Sequence, residues 1–319
     1  MIIKRKLFSK EGGGKKDNKL SKKDKTVGAG VAVGAAVGLN KLAHKSASHF
    51  GDKLMNGKLT ASDADTIKSK LLKNAKSQGI KVVEDSGAQN AAYTGSKASR
   101  AVRNGIAKVA KVLKKKDPKK SREFVSGIRE AVENGTGMSR LYDNLGKDAI
   151  VVGKSGVLSG ADVISHELGH AQYMHSGRGK NIVTKAAHKA APISKIAITK
   201  AGIGLSAAHG FKSGVKSQRL KEEGKKESRW NKVKSVALPA AAVAPLLIAE
   251  GGASWNGLKR MKKLGSSKKL LQESRRNLGN AWGTYASAAA APVVSGELGR
   301  QAGKVYGKIT SKNNKKNDS

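Results

Sequence analysis

The segment ADVISHELGHAQYMHSG, residues 161–177, constrains the fold of this chain most strongly. It places His166, Glu167 and His170 in the order His-Glu-x-x-His, and it comes soon after the apolar run AIVV at 149–152. The short run predicts a strand because it is apolar and rich in β-branched residues. Residues four apart share one face of a helix, so a helix over the motif would point both imidazoles in one direction.

The residues around the motif support this strand-to-helix interpretation. Ser159, with Asp162 three residues later, predicts a helix start of the capping-box type. Gly177 predicts the end of the same helix. A helix that begins shortly after a strand is the context that a zinc-peptidase motif requires.

The motif indicates a hydrolytic zinc centre. His166 and His170 would bind the ion, while Glu167 would lie beside them without being a ligand. Zinc lowers the pKa of a bound water to about 7, and the carboxylate would accept its proton and pass it to the leaving amine. The chain has no cysteine, so any further ligand must be a histidine or a carboxylate.

The third ligand does not follow the metzincin pattern. That pattern requires Gly and His where this chain has Tyr173 and Ser176. His175 is five residues beyond His170, which rotates it off the ligand face of the helix.

The other candidates for third ligand are His188, His209 and the downstream acids. Glu250 stands out among them because it lies in the apolar run PLLIAEGGASW. A buried carboxylate without a partner is costly, and a metal ion would supply one. The alternative is that Glu250 ends an apolar helix at the surface.

Four blocks resemble, in the same order, a family of bacterial membrane neutral zinc metallopeptidases of gluzincin type. They are LYDNLGKDAIVVGKSG, VISHELGHAQ, AEGGASWNGLKRMKKLG and NLGNAWGTYASAAAA. The similarity covers about residues 139–300. It implies that His166, His170 and Glu250 bind Zn²⁺ and that Glu167 is the general base.

The resemblance also implies apolar segments that span a membrane, and here this chain departs from the pattern. Lys195 and Lys200 interrupt the first apolar segment, and Pro239 and Pro245 interrupt the second. The N-terminal third of the chain has no counterpart in the family.

The charge of the chain predicts an anionic partner. The 63 Lys and Arg against 23 Asp and Glu give a formal net charge of +40. Lys predominates and aromatic residues are only 4%, which favours diffuse attraction over sequence-specific reading of nucleic acid. The partners expected are a protein or peptide substrate, an anionic membrane surface, and non-specific nucleic acid at the basic leader and helices. Without cysteine, a disulfide-linked partner is excluded.

The predicted fold class is α+β and mostly α, with a zincin-like metallopeptidase core, a small sheet and Ala- and Gly-rich apolar helices. Residues 1–57 form a basic leader with a glycine-rich helix, 58–307 the metallopeptidase domain, and 308–319 a disordered basic tail. In the leader, the four-residue spacing of Gly30, Gly34 and Gly38 predicts a seam for close helix packing, in a membrane or in a soluble core.

These features predict a membrane-associated zinc metalloendopeptidase. The alternative is a basic virion- or envelope-associated structural or delivery protein with a degenerate peptidase domain, located in a virion or in the cytoplasm. A small-molecule hydrolase that uses the same zinc is a third interpretation. Tyr142, His175 and His209 are the candidates for stabilising the transition state.

Overall fold

A computed structural model describes most of the chain: residues 22–86, 88, 91–136, 138–154, 156–175 and 182–317. The start of the basic leader and Gly177, the predicted end of the motif helix, lie outside these residues.

The described residues form ten α-helices, three strands and one 3-10 helix. In chain order they are α1 (Lys22–Met55), α2 (Ala64–Ser77), β1 (Lys81–Asp85), β2 (Ala92–Tyr93), α3 (Lys97–Lys116), α4 (Pro118–Thr136), α5 (Leu141–Asn144), β3 (Ala149–Gly153), the 3-10 helix (Val157–Ser159), α6 (Ala161–His175), α7 (Ile182–Ala197), α8 (Lys200–Glu222), α9 (Arg229–Lys263) and α10 (Lys268–Asn317). The predicted class, α+β and mostly α with a small sheet, is confirmed.

The sheet has the order β1-β3-β2. β1 is parallel to β3, with Lys81 opposite Ala149, and β2 is an antiparallel edge strand, with Tyr93 opposite Ile150. Every residue of β3 is buried, which explains why its sequence is a continuous apolar run without alternation.

The main hydrophobic core lies where the sheet meets α2, α6, α9 and α10. Its largest fully buried side chains include Ile67, Leu71, Ile150, Ile164, Leu168, Met261 and Leu270. This core fixes α6, the motif helix, between the sheet and the long C-terminal helices.

α8 and α10 pack with their backbones in contact. A Cβ on Gly210 would lie 1.9 Å from the Gly296 carbonyl oxygen, and a Cβ on Gly299 would lie 2.1 Å from the carbonyl oxygen of Ala207. Glycine is required at both positions because any side chain would force the helices apart.

The predicted seam of Gly30, Gly34 and Gly38 makes no close contact within the described residues, so its soluble-core form is not seen there, and its membrane form stays a prediction. No described atom outside the local helix lies within 4 Å of a Cβ built on any of the three. α1 instead contacts α8 and α10 through another face, where Gly28 meets Phe211 and Phe50 meets Gly283.

Two local expectations also differ from the structure. Ser159 belongs to the 3-10 helix and donates its hydroxyl to the Gly156 carbonyl, so it does not cap α6. α9 is continuous through Pro239 and Pro245. Pro239 leaves the Ser235 carbonyl without its helical donor, and that carbonyl lies against Gly296 of α10.

The C-terminal segment is more ordered than predicted. α10 continues to Asn317, so residues 308–317 are helical. The Ser311 hydroxyl donates to Glu222 of α8 at 2.6 Å, which ties this last part of α10 to the neighbouring helix.

Within the part of the chain that the structure describes, two helical segments are long and apolar enough to cross a bilayer, as judged by length and composition alone. They are Thr26–Lys53 in α1 and Val233–Lys263 in α9. The rest of the protein buries 6% of an apolar 18-residue stretch in the first segment and 33% of such a stretch in the second.

Candidate metal centre

The two motif histidines lie side by side on α6. Their Nε2 atoms are 3.2 Å apart, and the rings are nearly perpendicular, with centroids separated by 4.7 Å. This is the arrangement expected for residues four apart on one helical face. The strand-to-helix placement of His166 and His170 therefore agrees with the sequence analysis.

Glu250 of α9 completes the cluster. Its Oε2 lies 3.3 Å from Nε2 of His166 and 3.3 Å from Nε2 of His170. The carboxylate is 6% exposed, and among the described residues its Oε2 makes no hydrogen bond of acceptable geometry. Three potential ligand atoms thus converge from two helices on one buried point.

The spacing of the three atoms fits a zinc ion. Tetrahedral ligands at about 2.0–2.1 Å from the metal are separated from one another by about 3.3 Å. The observed separations of 3.2, 3.3 and 3.3 Å match this triangle. Two imidazoles and one carboxylate are also a donor set found at catalytic zinc sites.

Electrostatics favour the charged state of Glu250. Burial by itself would raise the pKa of this carboxyl group, but His170 and His166 outweigh burial and hold the pKa well below its usual range. In His170, burial would lower the pKa, and the charge of Glu250 and the contact with it raise the pKa instead. The protein therefore holds an ionised carboxylate against two imidazoles.

Each histidine is oriented by a second polar contact. Nδ1 of His166 lies 3.0 Å from the Ser254 hydroxyl, and Nδ1 of His170 lies 3.2 Å from Nε2 of His188. A histidine that binds metal through Nε2 carries its proton on Nδ1, so both would donate. His188 is 3% exposed, and its ring stacks on Tyr173 at 4.4 Å. His188, a candidate third ligand from the sequence, thus lies behind His170.

The Glu-x-x-Ala-Ser block explains how α9 fits against α6. Glu250 and Ser254 are four residues apart and share a face, which reaches both motif histidines. Between them, Ala253 is where the helices touch: a Cβ on Gly169 would lie 2.2 Å from the Ala253 carbonyl oxygen. Glu250, Ala253 and Ser254 therefore each contact α6 at or next to the cluster.

Glu167 lies beside the cluster and is not part of it. Its Oε2 accepts the backbone N–H of Tyr93 in the edge strand β2 at 2.8 Å. The carboxylate is 6% exposed. An edge strand therefore fixes the predicted base next to the three convergent atoms.

Tyr285 of α10 lies near the cluster, although it was not identified from the sequence as a candidate site residue. The charge of Glu250, then burial and the charge of Glu167, raise its pKa well above the usual value. The phenol is therefore protonated at physiological pH and can donate a hydrogen bond near the cluster. The Thr-Tyr pair in the family-like block NLGNAWGTYASAAAA was the available signal.

The candidates for transition-state stabilisation from the sequence are placed differently. Tyr142 lies in α5 under the guanidinium of Arg129, at 5.3 Å from the ring centroid. His209 lies among Lys234 and Lys212, and burial and these charges lower its pKa. α6 ends at His175, whose side chain is outside the described part of the structure.

Comparison with protein-family models, with curated proteins and with solved structures found no match to this chain. The arrangement of His166, His170, Glu250 and Glu167 is therefore the observation that bears on function.

Proposed function

We propose that the protein is a zinc-dependent metallopeptidase of gluzincin type with a zincin-like core. The observation that carries the proposal is the triangle formed by His166, His170 and Glu250, with Glu167 adjacent to it. A structural histidine pair does not require a third convergent ligand that is buried, ionised and without a hydrogen bond on its inner oxygen.

His166, His170 and Glu250 would hold the ion. Zinc held there would supply a water with a pKa of about 7 and would act as a Lewis acid toward a substrate carbonyl group. Glu167 then accepts the proton of the attacking water and transfers it to the leaving amine. The Tyr93 amide at 2.8 Å keeps the Glu167 carboxylate in position for both transfers.

Tyr285 is our candidate for stabilising the developing oxyanion, because it lies near enough to Glu250 and Glu167 to be affected by both charges. Its phenol stays protonated in the field of Glu250 and Glu167, so it can donate a hydrogen bond as negative charge accumulates on the carbonyl oxygen. Tyr285 would take the role for which the sequence offered Tyr142, His175 and His209.

The position of β2 favours a peptide over a small molecule as substrate. β2 is an edge strand, and its residue Tyr93 contacts Glu167 directly. Extended peptides bind to sheet edges through main-chain hydrogen bonds. A peptide aligned along this edge would pass beside the base, and it would have to pair with backbone groups other than the Tyr93 N–H, which Glu167 already accepts.

The test combines zinc content with hydrolysis of a fluorogenic peptide mixture by the purified full-length protein. We expect one zinc per chain. Glu167→Gln should keep the zinc and lose hydrolysis, whereas Glu250→Gln should lose both. Glu130→Gln, on the exposed surface of α4, is the matched control and should change neither.

Three results would contradict the proposal. Zinc that remains stoichiometric in both His166→Ala and His170→Ala would place the ion elsewhere. Unchanged peptide hydrolysis in Glu167→Gln would show that Glu167 is not the general base. A zinc-loaded protein that hydrolyses small esters and no peptide would exclude the peptidase assignment.

A further inference from the structure

Among the described helices, α3 combines a high positive charge with the absence of acidic residues. Its sequence, KASRAVRNGIAKVAKVLKKK, contains eight Lys and Arg and no acidic residue. The basic side chains at Arg103, Lys108, Lys111 and 114–116 are exposed. Such a helix attracts an anionic surface.

Only half of the apolar face of α3 is covered by the described protein. Ile106, Ala110 and Leu113 are half-buried on the side where α3 packs against α4. The Ser121 hydroxyl of α4 donates to the Ala110 carbonyl at 2.8 Å and fixes this pairing.

The other half of that face is a row of exposed valines. Val102, Val109 and Val112 are 53%, 45% and 57% exposed. Spacings of seven and three residues place them on one face, which we call the valine stripe. Lys108 and Lys115 are each within one turn of Val112 and border the stripe.

We propose that the valine stripe docks α3 on an anionic lipid bilayer. The valines would enter the boundary between headgroups and acyl chains, and the bordering lysines would contact lipid phosphates. Nucleic acid offers the same phosphates, but its backbone gives no free-energy gain to three aliphatic side chains. Exposed apolar and basic groups together therefore favour lipid.

α3 lies close to the edge of the metal centre, so its docking would also position that centre relative to the membrane. α3 begins shortly after β2, whose Tyr93 amide holds Glu167. Arg100 in its first turn pairs with Asp148, next to β3, at 2.8 Å. Docking of α3 would bring the edge of the metal centre close to the membrane. The docking itself does not depend on peptidase activity.

The test is co-sedimentation of the full-length protein with vesicles. One set contains equimolar phosphatidylglycerol and phosphatidylcholine, and the other contains phosphatidylcholine alone. A half-exposed valine contributes roughly threefold to partitioning, so serine at Val102, Val109 and Val112 should weaken binding to anionic vesicles by on the order of thirtyfold. The matched control replaces Val294, Val305 and Ile309 with serine; they are comparably exposed on α10, outside the two segments that could cross a bilayer.

A second variant keeps the test decisive if the triple serine variant unfolds. Lys108→Glu with Lys115→Glu should reduce binding to the anionic vesicles and leave binding to the neutral ones unchanged. A gel shift with duplex DNA separates lipid from nucleic acid, because the stripe variant should retain its DNA affinity.

The proposal is overturned if wild-type protein binds both vesicle types equally. It is also overturned if the control variant loses as much binding as the stripe variant. Equal losses of DNA and vesicle binding in the stripe variant would show that α3 recognises phosphate alone.

Discussion

Gly169→Ala should push α6 and α9 apart at the point where they carry the metal ligands. A Cβ at Gly169 would lie 2.2 Å from the Ala253 carbonyl oxygen and 2.9 Å from its Cα. Non-bonded carbon atoms rest at about 3.5–4.0 Å, so the helices would have to separate by about 1 Å.

The stability cost follows from this overlap. Overpacking of this kind costs about 1–3 kcal/mol, and the better helix propensity of alanine offsets about 0.5–1 kcal/mol. We expect a net loss of about 1–2 kcal/mol in the free energy of unfolding of the metal-free protein. Because His170 and Glu250 lie on the two separated helices, zinc affinity should also fall by about 10- to 100-fold.

Urea unfolding of the metal-free protein and competition for zinc against a chelating dye measure the two effects. The control is Gly279→Ala on the exposed side of α10, where no described atom lies within 4 Å of a Cβ. This control should stabilise the protein by about 0.5–1 kcal/mol. A Gly169→Ala variant as stable as the control, with wild-type zinc affinity, would refute the proposed close contact.

Three further predictions concern the polar groups around the cluster. Ser254→Ala removes the acceptor for Nδ1 of His166 and should lower zinc affinity by about tenfold in the dye competition. Tyr285→Phe should lower kcat on the order of 10²-fold in steady-state hydrolysis, with zinc content and KM unchanged; an equal loss of zinc would assign the residue a structural role. Protonated His170 has no free lone pair, and its pKa is raised above 6.5, so zinc affinity should fall as pH decreases through that raised pKa. A dye titration that gives the same affinity from pH 8 to pH 5 would contradict this.

The motif helix could be predicted because its signals are local. Strand β3 is a short apolar run, and the histidines of α6 are four residues apart. Helical geometry alone then aligns His166 and His170. The capping prediction was wrong because Ser159 satisfies its hydroxyl within the 3-10 turn that precedes α6.

The remainder of the site depends on contacts that sequence spacing does not encode. Glu250 was identified by its apolar surroundings and by the family resemblance. The contact of Ser254 with His166 and the position of His188 behind His170 depend on how α6, α7 and α9 pack together. Tyr285 comes from a fourth helix, and the Thr-Tyr pair in NLGNAWGTYASAAAA, its one local signal, did not show that it would lie near Glu250.

The spacing of glycines in the sequence did not predict which helices pack closely against each other. The regular spacing of Gly30, Gly34 and Gly38 leaves them without a close helix neighbour in the described chain. The close approach occurs between α8 and α10, at Gly210 and Gly299. Small residues permit close contact, and the tertiary fold decides which of them make it.

The position of the ion in crystals of the zinc-loaded protein, located by anomalous diffraction at the zinc edge, tests the central claim most directly. We predict one ion at about 2.0–2.2 Å from Nε2 of His166, Nε2 of His170 and a carboxylate oxygen of Glu250, with Glu167 outside the coordination sphere. A zinc ion bound by other residues, or zinc-loaded crystals with no anomalous peak between these three side chains, would contradict it.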